Sequence, residues 1–472
     1  MDAAHASQPE GMIPDGSRLW KVGVIFAVAL GFVMAMLDVT VVNVALGDIQ
    51  REFTSPLSTL VWIIDAYTLT FASLLLLGGS LADRIGAKRT YISGLMIFVL
   101  ASAVCGLATS ASILVVARLL QGVGAAFFLP SSLTLLTQSF PDPVTRTRMI
   151  GVYGAFVGAA AGSGPFVGGL VVHELGWRSI FYLNLPIGAL GVILTAILLR
   201  PSKPKPRPFD VASHLLLMGA LSGVSFTLIE GHSLGWFASR TIVFSVLVAL
   251  ASITLFAVRE RLASHPVIPH ALLHNRRFWT FNATGTLMSA VLFGEIFVVT
   301  LFLEKARGAS AFMAGIQMLP IMGVFAFVNY YAGRISSVWS NRRIMIVGYG
   351  TAALGAASTI LVGGAAPYWL LALTLGICNL GLGFSGPAMM SSVMHEAGRD
   401  HANIGSATLS ANRQIGALCS VALMGLLLDV IPDWESSLRA AFTVFAFCMV
   451  TAAVLVRQGV TAARPAMLGG EP

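Results

Sequence analysis

Apolar residues along the 472-residue chain gather in long unbroken blocks, separated by short polar clusters and by Pro- or Gly-containing turns. A membrane-spanning helix needs about 20 apolar residues at a rise of 1.5 Å each. By that measure the pattern predicts fourteen spans, over 21–45, 58–78, 90–108, 111–136, 149–172, 179–199, 211–230, 241–258, 279–302, 312–333, 344–363, 367–393, 403–428 and 438–456. Alternating ten-residue strands of the outer-membrane barrel type are absent from the pattern. The predicted fold class is therefore all-α and integral to a membrane.

The polar clusters test the count. With both termini cytoplasmic, inner segments hold 21 Lys and Arg and outer segments six, while Arg118 and Arg413 lie within spans, which accounts for all 29. Cytoplasmic loops carry this excess in helical membrane proteins, and one span too many or too few would invert every later loop. The basic, proline-rich segment 201–209 follows the sixth span, and a second basic stretch, Arg259 to Arg277, follows the eighth. The spans thus divide into six, two and six. Expected boundaries are a cytoplasmic N-terminal tail at 1–20, a six-helix bundle at 21–200, and a linker with two extra transmembrane helices at 201–277. A second six-helix bundle follows at 278–457 and a cytoplasmic tail at 458–472.

The two six-span blocks resemble each other. Gly124-Ala-Ala-Phe-Phe-Leu-Pro130 and Gly381-Leu-Gly-Phe-Ser-Gly-Pro387 align without gaps, each in the fourth span of its block. A weaker match relates Gly79–Arg89 to Gly333–Arg343, each after a second span. Duplicated halves with a site between them are a transporter architecture.

Composition agrees with lipid as the main solvent: 56% hydrophobic and 11% charged residues, mean hydropathy +0.83, against about 25% charge in soluble domains. The net charge of +8 is spread over many loops without a basic stripe, which disfavours nucleic acid as a partner. Cys105, Cys378, Cys419 and Cys448 stand singly in apolar runs and read as small buried residues, not metal ligands. Nucleophile–base pairs, phosphate loops and metal clusters are missing from the sequence, so no catalytic role and no cofactor is expected.

The ionisable residues within the spans carry the chemistry. At 1.5 Å per residue, Asp38 lies about 25 Å from the inner end of the first span and Asp65 about 10 Å below the outer end of the second. Arg118 falls at a depth similar to Asp65, and Glu295 about 24 Å from the inner end of the ninth. These four are expected in one outer layer, with Arg413 nearer the midplane. Three carboxylates and one Arg leave an excess of two negative charges, which suits a carrier that binds and releases protons. Intramembrane charges are functional candidates by default. Phe127, Phe384, Met389 and Met390, beside the Gly/Pro segments, are candidates to line a substrate cavity, together with Asn43 and Arg413. His395 and His401 are placed in a cytoplasmic loop.

Gly79-Ser-Leu-Ala-Asp-Arg-Ile-Gly-Ala-Lys-Arg89 resembles the signature loop of the major facilitator superfamily. Ala87 stands where that loop usually has a basic residue. The resemblance implies a cytoplasmic gate formed by Gly79, Asp83, Arg84, Gly86, Lys88 and Arg89, and Asp83 is a candidate cap for the third helix. Arg118-Leu-Leu-Gln-Gly-Val-Gly124 resembles the family's fourth-span motif, linked there to proton transfer. Gly164-Pro165-Phe-Val-Gly168-Gly169 resembles the fifth-span antiporter motif of its exporters, with Ala160 at the usual leading glycine. "LDVTVVNVAL", Trp177–Gly188 and Asn412-Arg-Gln-Ile-Gly416 are similar to the fourteen-helix drug:proton antiporter branch.

The resemblance covers roughly residues 20–460. It implies a proton-coupled exporter of small lipophilic, even cationic, compounds. Such an exporter would work by alternating access as a multi-pass monomer in the inner (plasma) membrane, with Asp38, Asp65, Arg118 and Glu295 coupling protons. A transporter of a specific metabolite on the same fold is the alternative, and a membrane sensor or enzyme a more distant one.

Overall fold

The computed structural model describes residues 18–140, 142–201, 211–236, 239–263, 268–335, 339–362 and 366–461. The proline-rich linker and most of both tails lie outside them. Fourteen long helices account for nearly all of the described chain. They are α1 (Arg18–Phe53), α2 (Leu57–Ile85), α3 (Ala87–Gly106), α4 (Ala111–Ser139), α5 (Pro143–Leu175), α6 (Asn184–Leu198) and α7 (Val211–Leu234). After them come α8 (Arg240–Leu262), α9 (Arg276–Leu301), α10 (Ala311–Ile335), α11 (Asn341–Val362), α12 (Tyr368–Gly398), α13 (Ile404–Val430) and α14 (Trp434–Thr461). Thirteen spans are long and apolar enough to cross a membrane, among them α6 with the one-turn helix Ser179–Tyr182 that leads into it. The fourteenth is α5, whose last ten residues, Phe166–Leu175, form a shorter apolar stretch.

Each expected span corresponds to a helix, and the differences lie at the ends. The first helix continues to Phe53, well past the expected 45, because Ile49 is fully buried and Phe53 packs edge-on against Trp177 at 5.6 Å. The loop expected between the twelfth and thirteenth spans is not a loop. Helical structure runs from Tyr368 to Val430 with one break at Gly398 (φ 71°, ψ 174°), so His395 and His401 sit on helix. A positive φ of this kind is cheap for glycine and strained for any other residue. Gly86 (φ 95°) makes the α2–α3 corner in the same way. No side chain caps the start of α3, so the expected Asp83 cap is not formed.

The two halves are built on the same helix contact. A Cβ at Gly124 would strike the backbone of Gly94 and Phe98 on α3; one at Gly381 would strike Gly348 and Ala352 on α11. Both glycines therefore let the fourth helix of a half press on the third, at residues one turn apart. Close backbone approach at small residues is how helices associate where lipid offers no hydrophobic driving force.

Between the halves, α5 packs on α10 and α2 on α13. Helix α7 of the inserted pair lies across the second seam, with Leu217 and Leu221 beside Leu69, Ala72 and Leu418. Polar bonds tie its end to both sides. Trp62 Nε1 on α2 donates to Glu230 Oε1 at 2.9 Å, and His232 Nδ1 lies 2.8 Å from Asp429 Oδ2 on α13. At that same end of the bundle, Gly47 meets Glu304, Gly425 meets Val61, and Gly169 meets Ala311 and Phe312 across the halves. The His173 ring stacks on Phe312 at 5.5 Å.

Candidate functional site

Asp38 is 4% exposed and Arg118 is 1% exposed, and the two form an ion pair between α1 and α4. A charge in a low-dielectric interior needs a partner and full hydrogen bonding, and the surroundings supply both. Gln121 Nε2 (3.3 Å) and Asn184 Nδ2 (3.1 Å) donate to Asp38 Oδ1. Both amides also donate to Ser102 Oγ, at 3.0 and 2.9 Å. Arg118 donates from Nη1 to Gln121 Oε1 (2.9 Å) and from Nε to the Ile63 carbonyl on α2 (2.9 Å). Its guanidinium lies over the Tyr67 ring, 4.6 Å from the centroid, a favourable cation–π arrangement. Five helices of the first half thus converge on one carboxylate. Gln121 and Asn184 lay within quoted motifs without being assigned to the site, and Ser102 and Tyr67 carried no sequence signal.

Asp65 and Glu295 are not part of that network. Asp65 is 0% exposed, and neither of its carboxyl oxygens has a hydrogen-bond partner. It sits on α2, within electrostatic reach of Cys419 on α13 across the seam. Glu295, also 0% exposed, belongs to the second half. Asn379 Nδ2 on α12 donates to its Oε1 at 2.6 Å, the Cys378 thiol lies beside it, and Oε2 is unpartnered. The four residues therefore have three separate sets of neighbours: an ion pair in one half, a bare carboxyl at the seam, and a carboxyl bonded to an amide in the other half.

The motif glycines of α5 act by proximity. Gly164 faces Thr40 and Gly168 faces Val41 on α1, while Gly169 faces the α10 backbone. The side chain of Pro165 lies outside the described residues. In the signature loop, Lys88 Nζ donates to the Ala196 and Leu199 carbonyls at 2.8 and 2.6 Å, closing the end of α6 within its own half. Gly86 turns the chain. Around Gly79 an added Cβ would meet no atom within 4 Å. Asp83 is half-buried, and Arg84 and Arg89 are exposed.

Of the cavity candidates, Asn43 (4% exposed) and Met389 (1%) are buried among helices, whereas Phe127, Phe384 and Arg413 are half-buried and Met390 is 36% exposed. A groove of about 320 Å³ opens between α9 and α13, lined by Trp279, Asn282, Ala283, Thr286, Leu287 and Asn412. Among the described residues no group of three or more His, Cys, Asp or Glu is arranged to hold a metal.

The family model described as "Major Facilitator Superfamily" matches residues 28–420. The "Methylenomycin A resistance protein" of Streptomyces coelicolor is 44% identical over 418 residues, 89% of this chain and 88% of its own length. That of Bacillus subtilis is 41% identical over 447 residues, 94% and 96% of the two chains. The "Multidrug resistance protein Stp" of Mycobacterium tuberculosis is 33% identical over 414 residues, 88% and 76%. With the paired halves and the buried charge network already in place, these matches mean that the chain belongs to the major facilitator superfamily.

Proposed function

We propose that the protein is a proton-coupled exporter of small lipophilic compounds, antibiotics among them, acting in the plasma membrane by alternating access. The relatives named for resistance to methylenomycin A and to multiple drugs support export over catalysis. The observation that carries the coupling is the mismatch of buried charge. Three carboxyl groups, Asp38, Asp65 and Glu295, are at most 4% exposed inside apolar helices, and of these only Asp38 is ion-paired. A proton is the simplest species that can neutralise such a group and be exchanged at it. Asp65, at the moving seam between the halves, and Glu295 are then the exchange sites, and the Asp38–Arg118 pair holds the first half together.

The halves touch at the end that carries Gly47, Glu304 and Phe312, which the charge distribution of the loops assigns to the outside. This arrangement suits an inward-open state. Substrate would enter from the cytoplasm, and parting of those contacts would release it outside.

The test uses everted membrane vesicles energised to be acid inside. Expression should produce uptake of at least one compound from a panel of cationic, neutral and anionic antibiotics, and a protonophore should abolish it. Uptake that survives the protonophore, or an Asp65→Asn and Glu295→Gln double variant with unchanged proton-driven uptake, overturns the coupling scheme.

A further inference from the structure

Among the described residues Arg413 is the one arginine set deep within a span outside the Asp38 network, and its own surroundings do not neutralise it. Its Nε donates to Ser289 Oγ on α9 at 3.1 Å. Among the described residues no carboxylate pairs with it, and its two terminal nitrogens make no hydrogen bond. This differs from Arg118, which is matched to a carboxylate, an amide and a carbonyl. Tyr349 on α11 is 0% exposed and lies within reach of both Arg413 and the Thr284 side chain. The terminal nitrogens of the Arg413 guanidinium are thus donors left over, and they call for an acceptor that carries negative charge.

The acceptor has a place to come from. Arg413 adjoins Asn412, which lines the groove between α9 and α13, and its partner Ser289 lies one helical turn beyond the groove residue Thr286. Asn412 Nδ2 donates to Asn282 Oδ1 at 3.1 Å, and Asn282 Nδ2 donates to the Phe278 carbonyl at 2.8 Å, so the two groove-lining amides hold each other in place. Trp279 and Leu287 add apolar surface. At about 320 Å³ the groove is at the lower end of the range for small-molecule sites.

We infer that the transported class is small organic anions: a compact apolar body seated against Trp279 and Leu287, with a carboxylate bound by the Arg413 guanidinium. A guanidinium presents paired N–H donors that match a carboxylate edge to edge, which an ammonium does not. The inference rests on the export reading and narrows it, replacing the expected preference for lipophilic cations. It also has an energetic consequence. Moving an anion outwards is favoured by an inside-negative membrane potential, so export would respond to the potential as well as to the proton gradient.

The test compares two isosteric quenchers, 4-nitrocinnamate and 4-nitrocinnamamide, by tryptophan fluorescence of the purified full-length chain in phosphatidylcholine nanodiscs. A Trp279→Phe variant identifies the groove component of the signal. The acid should bind at least tenfold tighter than the amide. Arg413→Gln should erase that preference with amide binding retained, and Arg413→Lys should keep part of it. Retained amide binding also shows that the glutamine variant is folded.

Equal affinities, no saturable quenching by the acid, or a preference unchanged in Arg413→Gln overturns the assignment. So does displacement of the acid by phosphatidylglycerol added to the nanodisc, which would make the groove a lipid site. Uptake of tetraphenylphosphonium in the everted vesicles, with no acid preference in binding, leaves the export reading standing and removes the anion inference. Selective acid binding with no uptake of any compound removes the export reading instead.

Discussion

The two six-helix halves place a carboxylate at the same position and treat it in opposite ways. The register that sets Gly124 on Gly381 and Pro130 on Pro387 also sets Asp38 on Glu295, Arg118 on Leu375 and Gln121 on Cys378. In the first half the carboxylate is locked to a guanidinium and two amides. In the second, Leu375 stands where the guanidinium would be, and a single amide from Asn379 remains. The second half keeps a cation, Arg413, but on α13 and, among the described residues, with no carboxylate paired to it. The groove near it sets the amides Asn282 and Asn412 among apolar side chains, where the corresponding α1–α5 face carries Phe26 packed on Phe156. One fold thus yields a closed electrostatic unit and an open one. The open half keeps a carboxyl and a guanidinium that are not paired with each other.

The sharpest way to break this comparison is to neutralise the two equivalent carboxylates. Asp38→Asn leaves the Arg118 guanidinium buried with no counter-charge, a change that typically costs about 3–5 kcal/mol. Purified protein should lose most of its thermal stability in detergent, and adding Arg118→Gln should recover a substantial part of the loss. If Asp38→Asn melts like the wild type, the pair is not the structural pin of the first half.

Next in size is the glycine contact the halves share. Gly124→Val and Gly381→Val each force a branched side chain into backbone of the neighbouring helix, and overpacking of this kind costs about 1–3 kcal/mol. Similar losses in both variants are expected, read as lowered melting temperature and reduced yield in the membrane. A large loss in one and none in the other would show that the halves do not share this contact.

Much of this was readable from the chain because lipid is a demanding solvent. Backbone groups in hydrocarbon must bond internally, so a long apolar run has almost no alternative to a helix, and all fourteen runs became helices. The Gly124–Pro130 match to Gly381–Pro387 was informative for a similar reason, since close helix contacts restrict residue choice. Helical rise converts position into expected depth along a span. Lateral position was not legible. Asp38, Asp65 and Glu295 were placed in one layer, yet nothing in the spacing of a single helix says which neighbour it faces, and they fall in three places. Ser102 and Tyr67 were missed because a buried serine or tyrosine in an apolar span has the same pattern whether it bonds a carboxylate or a backbone carbonyl. The Gly398 junction was read as a loop because charged and polar residues around it mimic one, although the helix continues on both sides.

The smaller effects discriminate within the halves. Lys88→Met removes donation to the Ala196 and Leu199 carbonyls while keeping the bulk of the side chain. The ammonium is partly solvated, so the expected loss is about 0.5–1.5 kcal/mol. Limited proteolysis after α6 should quicken modestly. An unchanged cleavage rate would return Lys88 to the gate role expected for the signature loop.

Glu295→Gln is the counterpart of Asp38→Asn and should have the smallest effect on stability. The amide keeps an oxygen for Asn379 Nδ2, leaves no cation without its partner, and removes a carboxyl that already has one oxygen unpartnered. The expected change is under about 1 kcal/mol, within the range of an ordinary neutral hydrogen bond. The same isosteric change would thus be severe in one half and mild in the other, which separates a carboxylate that holds the fold from one that serves exchange. The functional readout runs the other way. With its fold intact, Glu295→Gln should lower proton release on addition of substrate to purified protein, measured with a pH-sensitive dye in weak buffer. A variant that melts like the wild type and also releases protons like it would strip Glu295 of an exchange role and leave Asp65, at the seam between the halves, to carry the coupling.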